Sequence, residues 1–421
     1  MKTICIVGTF DTKGEEIYYI KEILENLDLN TYIVNIGVFE SKYKADFTNR
    51  ELLETIGESI VEIIATNDRA HATETLAKAI GVALPKLYED GKFDGVIALG
   101  GSGGTSIATA GMRQLPVGVP KIMISTMASG QVSHYVGTND IIMVPSIVDV
   151  AGINKISRQI FNNAAHAIAG MVKFEYNIEV DDKPLIAASM FGLTTPAVNA
   201  AMKYLEDRGY EVLVFHATGT GGKTMESLVE QSYFKGVLDL TTTEWCDELF
   251  DGVLHAGPHR LEAAGLNGIP QVVSLGAMDM VNFGPFDTIP EKYKGRNFYK
   301  HNPSVTLMRT SVEENKLLGE KIAEKLNLAK KDTVLMIPKK GLSGIDMEGK
   351  PFYGPEENKM LFKTLRENIN NSVIKIVEMD TDINDKEFAE RAAQELIAMI
   401  ENKWGGEKWI GKVYWKVLEK G

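Results

Sequence analysis

Four short segments gather residue types that can bind anions or move protons. Gly100-Gly101-Ser102-Gly103-Gly104-Thr105 places four glycines and two hydroxyls in six residues. Glycine lets main-chain N–H groups approach a ligand closely and permits positive φ without steric cost. This segment is therefore expected to cradle phosphate, with Ser102 and Thr105 as hydroxyl donors. The same residues fit Gly-x-Ser-x-Gly, the turn that exposes a nucleophilic serine, which keeps hydrolysis through Ser102 open. Gly8-Thr9-Phe10-Asp11-Thr12-Lys13-Gly14 combines two hydroxyls, a carboxylate and a lysine. Lys13 can meet a phosphate there and Asp11 can hold Mg2+ through water; a capped helix start with solvated charges is the plainer alternative. Ala217-Thr218-Gly219-Thr220-Gly221-Gly222-Lys223-Thr224 differs at its first residue from the phosphate-loop pattern Gly-x-x-x-x-Gly-Lys-Ser/Thr. The strand that should end in a metal-binding Asp is weak, Gly236-Val237-Leu238-Asp239 being the nearest. A glycine-rich turn lining a crevice is expected, with an NTPase fold or plain turn chemistry as alternatives.

The fourth group lies later in the chain. In His255-Ala256-Gly257-Pro258-His259-Arg260, two histidines not far from Cys246 suggest zinc, but Pro258 breaks the spacing that metal pairs exploit. Arg260 is expected to be free to meet an anion. His301-Asn302-Pro303, Arg309 and Gly341-Leu342-Ser343-Gly344-Ile345-Asp346 add further polar groups at strand ends.

These segments need scaffolding, and the apolar pattern supplies it. Ile4 to Val7, Thr31 to Gly37, Phe93 to Leu99, Lys121 to Ser125 and Ile141 to Val144 read as strands. Amphipathic stretches, Glu51 to Ile64 and Ala72 to Leu87 among them, read as helices between them. Continuous apolar strands alternating with helices indicate a parallel sheet buried on both faces. A helix carries Ile156, Ile160, Ala164, Ala167, Ile168 and Met171 on one face. The polar segment Glu179 to Pro184 then marks a boundary, giving domains at 1–180 and 183–421. The order of elements restarts with strand Leu185 to Met190, helix Ala197 to Glu206 and strand Glu211 to Phe215. Later strands are expected at Gly252 to Leu254, Gln271 to Leu275, Val305 to Met308, Val334 to Ile337 and Val373 to Glu378, with a last helix from Phe388 to Glu401. The tail, with Trp404, Trp409 and Trp415, is expected to dock on the body or on a partner subunit. Ligands of open parallel sheets bind beyond the carboxyl ends of the strands, where strand order reverses. Each chemical segment above lies at such an end.

The composition narrows the function classes. The chain has 421 residues, 44% hydrophobic and 24% charged, with a formal net charge of -12. An acidic surface disfavours binding to nucleic acid. The two cysteines, Cys5 and Cys246, cannot build a disulfide framework, which fits a reducing compartment. No run approaches a membrane span, and the apolar start is too short for a signal peptide. A cytoplasmic protein with no membrane partner is expected.

The segments Gly8 to Glu16, Gly100 to Thr105, His216-Ala217-Thr218-Gly219 and His301-Asn302-Pro303, taken in order, resemble the ATP-binding domain family of the plant tobamovirus-resistance protein. The resemblance spans nearly the whole chain. It implies two Rossmann-like subdomains, ATP bound by the N-terminal one, and a tendency to dimerise. It favours the turn Gly8 to Lys13 and the loop Gly100 to Thr105 as nucleotide contacts. In the plant protein the region also binds a viral replication protein, and a further barrel domain follows; the activity of that barrel is not expected from this chain.

The expectation is therefore two doubly wound, Rossmann-like α/β domains with a cleft between them. ATP, with Mg2+ at Asp11, is expected on Gly8, Thr9, Thr12, Lys13, Gly100, Gly101, Ser102, Gly103, Gly104 and Thr105. A small acid is expected in the cleft, met by Gly219, Gly221, Gly222, Lys223, Arg260 and Asp346. A homodimer that uses ATP enzymatically, a nucleotide-responsive binding module, and a serine hydrolase acting through Ser102 are the three function classes.

Overall fold

In a computed structural model, residues 1–174 and 183–402 are described. The chain divides into two compact units, Met1–Glu179 and Val180–Gly421. The tail tryptophans Trp404, Trp409 and Trp415 lie outside the described residues.

The first unit runs β1 (Thr3–Gly8), α1 (Phe10–Asn26), β2 (Asn30–Asn35), α2 (Asn49–Glu54), α3 (Ile60–Thr66), α4 (Arg69–Glu89), β3 (Gly95–Gly100), α5 (Ser102–Met112), β4 (Lys121–Ser125), α6 (Ser133–Val136), β5 (Ile142–Pro145) and α7 (Lys155–Lys173). Its five strands are parallel in the order β2-β1-β3-β4-β5. Successive side chains of a strand face opposite sides. Ile4 and Ile6 of β1 accordingly join Ile17, Phe161 and Ile168 on one face, while Cys5 and Val7 join Leu76, Ile80 and Met112 on the other. Both faces are covered, which is why the strands read as unbroken apolar runs. The single helix expected over Glu51 to Ile64 is two short ones, α2 and α3. Gly57 between them has φ 75°, which no helix accommodates, and Ser59 in extended conformation starts α3.

The second unit runs β6 (Leu185–Met190), α8 (Thr195–Glu206), β7 (Glu211–His216), α9 (Thr220–Glu230), β8 (Gly236–Thr241), α10 (Glu244–Leu249), α11 (Ala263–Asn267), β9 (Gln271–Gly276), β10 (Met280–Phe283), β11 (Phe298–Asn302), β12 (Val305–Arg309), α12 (Val312–Leu326), β13 (Thr333–Pro338), α13 (Pro355–Asn368), β14 (Ile374–Met379) and α14 (Lys386–Ile400). Six strands form a parallel sheet in the order β14-β13-β9-β8-β6-β7, and β10-β12-β11 form a small antiparallel sheet. Both units are therefore doubly wound α/β sheets. Gly252 to Leu254 is a turn rather than a strand. The Asp247 carboxylate takes the N–H groups of Leu254 and Asn282, and Val253 donates to the Asn282 carbonyl. The strand paired beside β6 is instead β8, with Asp239 buried in its middle. His301-Asn302-Pro303 ends β11 and turns into β12, with Ser304 N–H donating to Asn302 Oδ1 at 2.8 Å. It closes an antiparallel hairpin and does not end a strand of the parallel sheet. No helix among the described residues is long and apolar enough to cross a membrane.

Candidate functional site

In the first unit β1 is flanked by β2 on one side and β3 on the other. The chain thus winds in opposite directions from β1, the point at which open α/β sheets take ligands, beyond the carboxyl ends of the strands. Gly8-Thr9 ends β1 and Gly100-Gly101 ends β3, so the fold brings these two sequence segments to one place.

Helix α5 begins there. Its N-cap is Gly101, which has no side chain to cap with, and its first backbone bond runs from Thr105 N–H to Gly101 O at 2.9 Å. The N–H groups of Ser102, Gly103 and Gly104 precede that bond and meet no acceptor among the described residues. Their dipoles add a partial positive charge at the terminus. A side chain at these glycines would clash with nothing. A Cβ on Gly101 would lie 3.9 Å from Thr126 Oγ1, one on Gly103 3.9 Å from Arg69 Nη2, and one on Gly104 3.8 Å from Leu99 O. None of the three has a positive φ. Neither packing nor backbone conformation within the chain therefore requires glycine at these positions. Thr9 and Thr12 face each other with hydroxyls 2.9 Å apart, and Ser102 is exposed.

Several expected ligands are committed elsewhere. Thr105 is fully buried; its hydroxyl donates to Gly101 O at 2.8 Å and lies 2.6 Å from Ser125 Oγ. It braces the first turn of α5 and offers nothing to a phosphate. The Lys13 ammonium donates to the Val150 carbonyl, tying α1 to the loop after β5. Asp11 Oδ2 accepts the N–H groups of Val38 and Phe39, each at 3.0 Å. Asp11 Oδ1 is buried without a partner, 2.7 Å from where Gly37 would carry a Cβ. The carboxylate thus anchors the loop after β2 through Oδ2. Among the described residues no group of three or more His, Cys, Asp or Glu is placed to hold a metal ion. Gly8 is packed shut by Ile17, whose Cδ1 lies 2.5 Å from the Cβ position. Arg69, the first residue of α4, is the cation that sequence reasoning missed. It is exposed beside Gly103 and forms no ion pair with any described residue. Its place depends on how α4 packs on α5, and no local motif marks it.

The phosphate-loop-like turn of the second unit is filled from within. Glu244 Oε1 accepts Gly219 N–H at 2.7 Å and Gly222 N–H at 3.1 Å. A Cβ on Gly222 would lie 2.1 Å from Glu244 Oε2, and one on Gly221 1.9 Å from His216 O. The carboxylate sits where a phosphate would have to sit. Arg260, expected to be free, is 1% exposed. Its Nε donates to Glu244 Oε2 at 2.7 Å, its two Nη groups clasp Asp239, and Nη1 also donates to Glu226 Oε1 at 3.0 Å. Burial pushes the Glu226 and Glu244 carboxyls above their ordinary range, and the Arg260 charge opposes that push. Asp346 is also fully buried, held by Arg309 Nη2 at 3.1 Å, Leu342 N–H at 2.9 Å and Asn358 Nδ2 at 2.7 Å. Arg260 and Asp346 are internal ties of the fold, with no face turned to a ligand. Of the six residues assigned to the acid, Lys223 alone is exposed. The Ser102 hydroxyl has no histidine or carboxylate bonded to it among the described residues.

Fold and site together define a two-unit, doubly wound α/β protein whose first unit keeps an open glycine turn at its topological switch point. Residues 2–177 match the N-terminal domain, and residues 183–400 the C-terminal domain, of the uncharacterised protein family UPF0261; the chain belongs to that family. A UPF0261 protein of Clostridium tetani is 54% identical over 401 residues, covering 95% of this chain and 99% of that one. The ToMV resistance protein Tm-1(GCR237) of Solanum lycopersicum is 40% identical over 412 residues, covering 92% of this chain but 54% of the tomato protein. Among solved structures, the UDP-N-acetylglucosamine 2-epimerase from Rickettsia bellii aligns over 65% of this chain and 78% of its own, at 10% identity and a TM-score of 0.20, too distant to bear on function.

Proposed function

We propose that the first unit binds ATP, with the phosphates at the N-terminus of α5. The observation that carries this reading is that Gly101, Gly103 and Gly104 are required by no clash within the chain and lie beside N–H groups that no described residue accepts from. A phosphate there would take those N–H groups and the α5 dipole, with the Arg69 guanidinium and the hydroxyls of Thr9, Thr12, Ser102 and Thr126 at the rim. Any Mg2+ would arrive on the phosphates, since Asp11 Oδ2 is taken by the N–H groups of Val38 and Phe39.

A ligand that binds only the native state raises its stability by RT ln(1 + [L]/Kd), about 2.7 kcal/mol at 100 times Kd. The test is a melting series with ATP, with and without Mg2+, on the wild type and on Gly101→Val. Gly101 is in extended backbone at φ -81° and ψ -162° with room for a side chain, so the variant should fold. ATP should raise the wild-type melting temperature and leave that of the variant unchanged. Equal shifts in both proteins would remove the site from the α5 terminus. Following ADP release in the same samples separates turnover from binding alone.

A further inference from the structure

Ile147, two residues beyond β5, has φ 64°, in the left-handed region that β-branched side chains avoid. Its side chain is 72% exposed. Two bonds close the bend: Val148 N–H donates to Ser146 O at 2.7 Å, and Ser146 Oγ donates to Val148 O at 2.6 Å. Glycine would make this bend without strain, and isoleucine gains little burial by being there. Strain held in place at an exposed apolar residue points to use outside the fold.

The bend belongs to the same edge as the α5 terminus. Ser125, the last residue of β4, accepts Ser146 N–H at its carbonyl, 3.1 Å away, and Met127 N–H at its hydroxyl, 3.0 Å away. That hydroxyl also meets Thr105 of α5 at 2.6 Å. Met127 is itself 36% exposed, and its neighbour Thr126 stands over Gly101. Adjacent strands lie about 4.8 Å apart, so the ends of β3, β4 and β5 span roughly 10 Å. A nucleotide reaches about that far from its phosphates to its base.

We infer that Met127 and Ile147 form an apolar shelf for a flat heteroaromatic ring, the base of the nucleotide whose phosphates lie at α5. This rests on the preceding reading of the phosphate site. The competing place is Phe39, 61% exposed beyond β2 on the opposite side of β1.

Calorimetric titration with ATP and with inorganic tripolyphosphate tests the shelf and separates it from the phosphate site. The wild type should bind ATP more tightly than tripolyphosphate. The double variant Ile147→Gly, Met127→Ser should bind tripolyphosphate unchanged and ATP roughly tenfold more weakly, as expected from losing two aliphatic contacts. Phe39→Ala should bind both as the wild type does. ATP affinity untouched in the double variant, or an ATP preference abolished by Phe39→Ala, overturns the shelf. If the wild type binds both probes equally, the phosphate site stands and the shelf falls. If it binds neither, both fall. The melting temperature of Ile147→Gly should not drop, since the substitution relieves strain, which keeps the binding result readable.

Discussion

Glycines at Gly14, Gly37, Gly111 and Gly222 are there because a side chain would strike Tyr43, Asp11, Ile80 or Glu244. Gly101, Gly103 and Gly104 meet no such obstacle, and that difference separates a turn whose glycines are required by packing from one whose glycines are not. Arg69 adds the only cation the described residues bring to the Gly103 position. An exposed guanidinium works through a screened field, so Arg69→Ala should weaken ATP by about fivefold to tenfold at low salt, in the range of a charge-assisted phosphate contact. The loss should shrink as salt rises. Titrations at two ionic strengths check this, and an affinity that is the same in both proteins at low salt would exclude Arg69 from the contact.

Among the elements, α5 and α9 start alike, each with a glycine-rich turn after a parallel strand, but they end up with opposite surroundings. At α9 the Glu244 carboxylate is the anion, and Arg260 locks it to Asp239 and Glu226. Removing one partner of a buried ion cluster leaves uncompensated charge, at a cost of about 3–5 kcal/mol. Arg260→Ala should therefore lower the urea midpoint of the second unit substantially; an unchanged midpoint would show that the cluster contributes nothing. Periodicity made the strands and most helices readable, because both sheet faces are covered and each strand is an apolar run. The loops at Gly8 and Gly100 were readable as strand ends, and the reversal of strand order at β1 places them together. What stayed hidden are side chains that arrive from far away in sequence. Glu244 reaches Gly219, and Arg69 reaches Gly103, through packing that no local spacing encodes. Arg260 and Asp346 misled for the same reason: a charge beside a glycine turn looks free until its buried partners are known.

Across the molecule, two buried carboxylic acids make stability sensitive to pH. Burial raises Asp247 from 3.8 to about 7, against the bonds from Asn282 and Leu254. Burial first, and the neighbouring Asp346 charge second, raise Asp279 from 3.8 to about 7. The folded state then holds protons that the unfolded chain has released, so stability falls as pH rises between about 4 and about 7. Above that window both states are ionised and these two groups add no further slope. Urea unfolding at pH 5, 6, 7 and 8 should show this decline, and Asp247→Asn should flatten it. An identical pH slope in that variant would assign the effect to other groups.

The Glu244 carboxylate seated in the second glycine turn also sets a stoichiometry. Two sequence segments advertise phosphate cradles, yet one of them carries its own permanent tenant. Saturating titration should therefore stop at one equivalent of nucleotide per polypeptide.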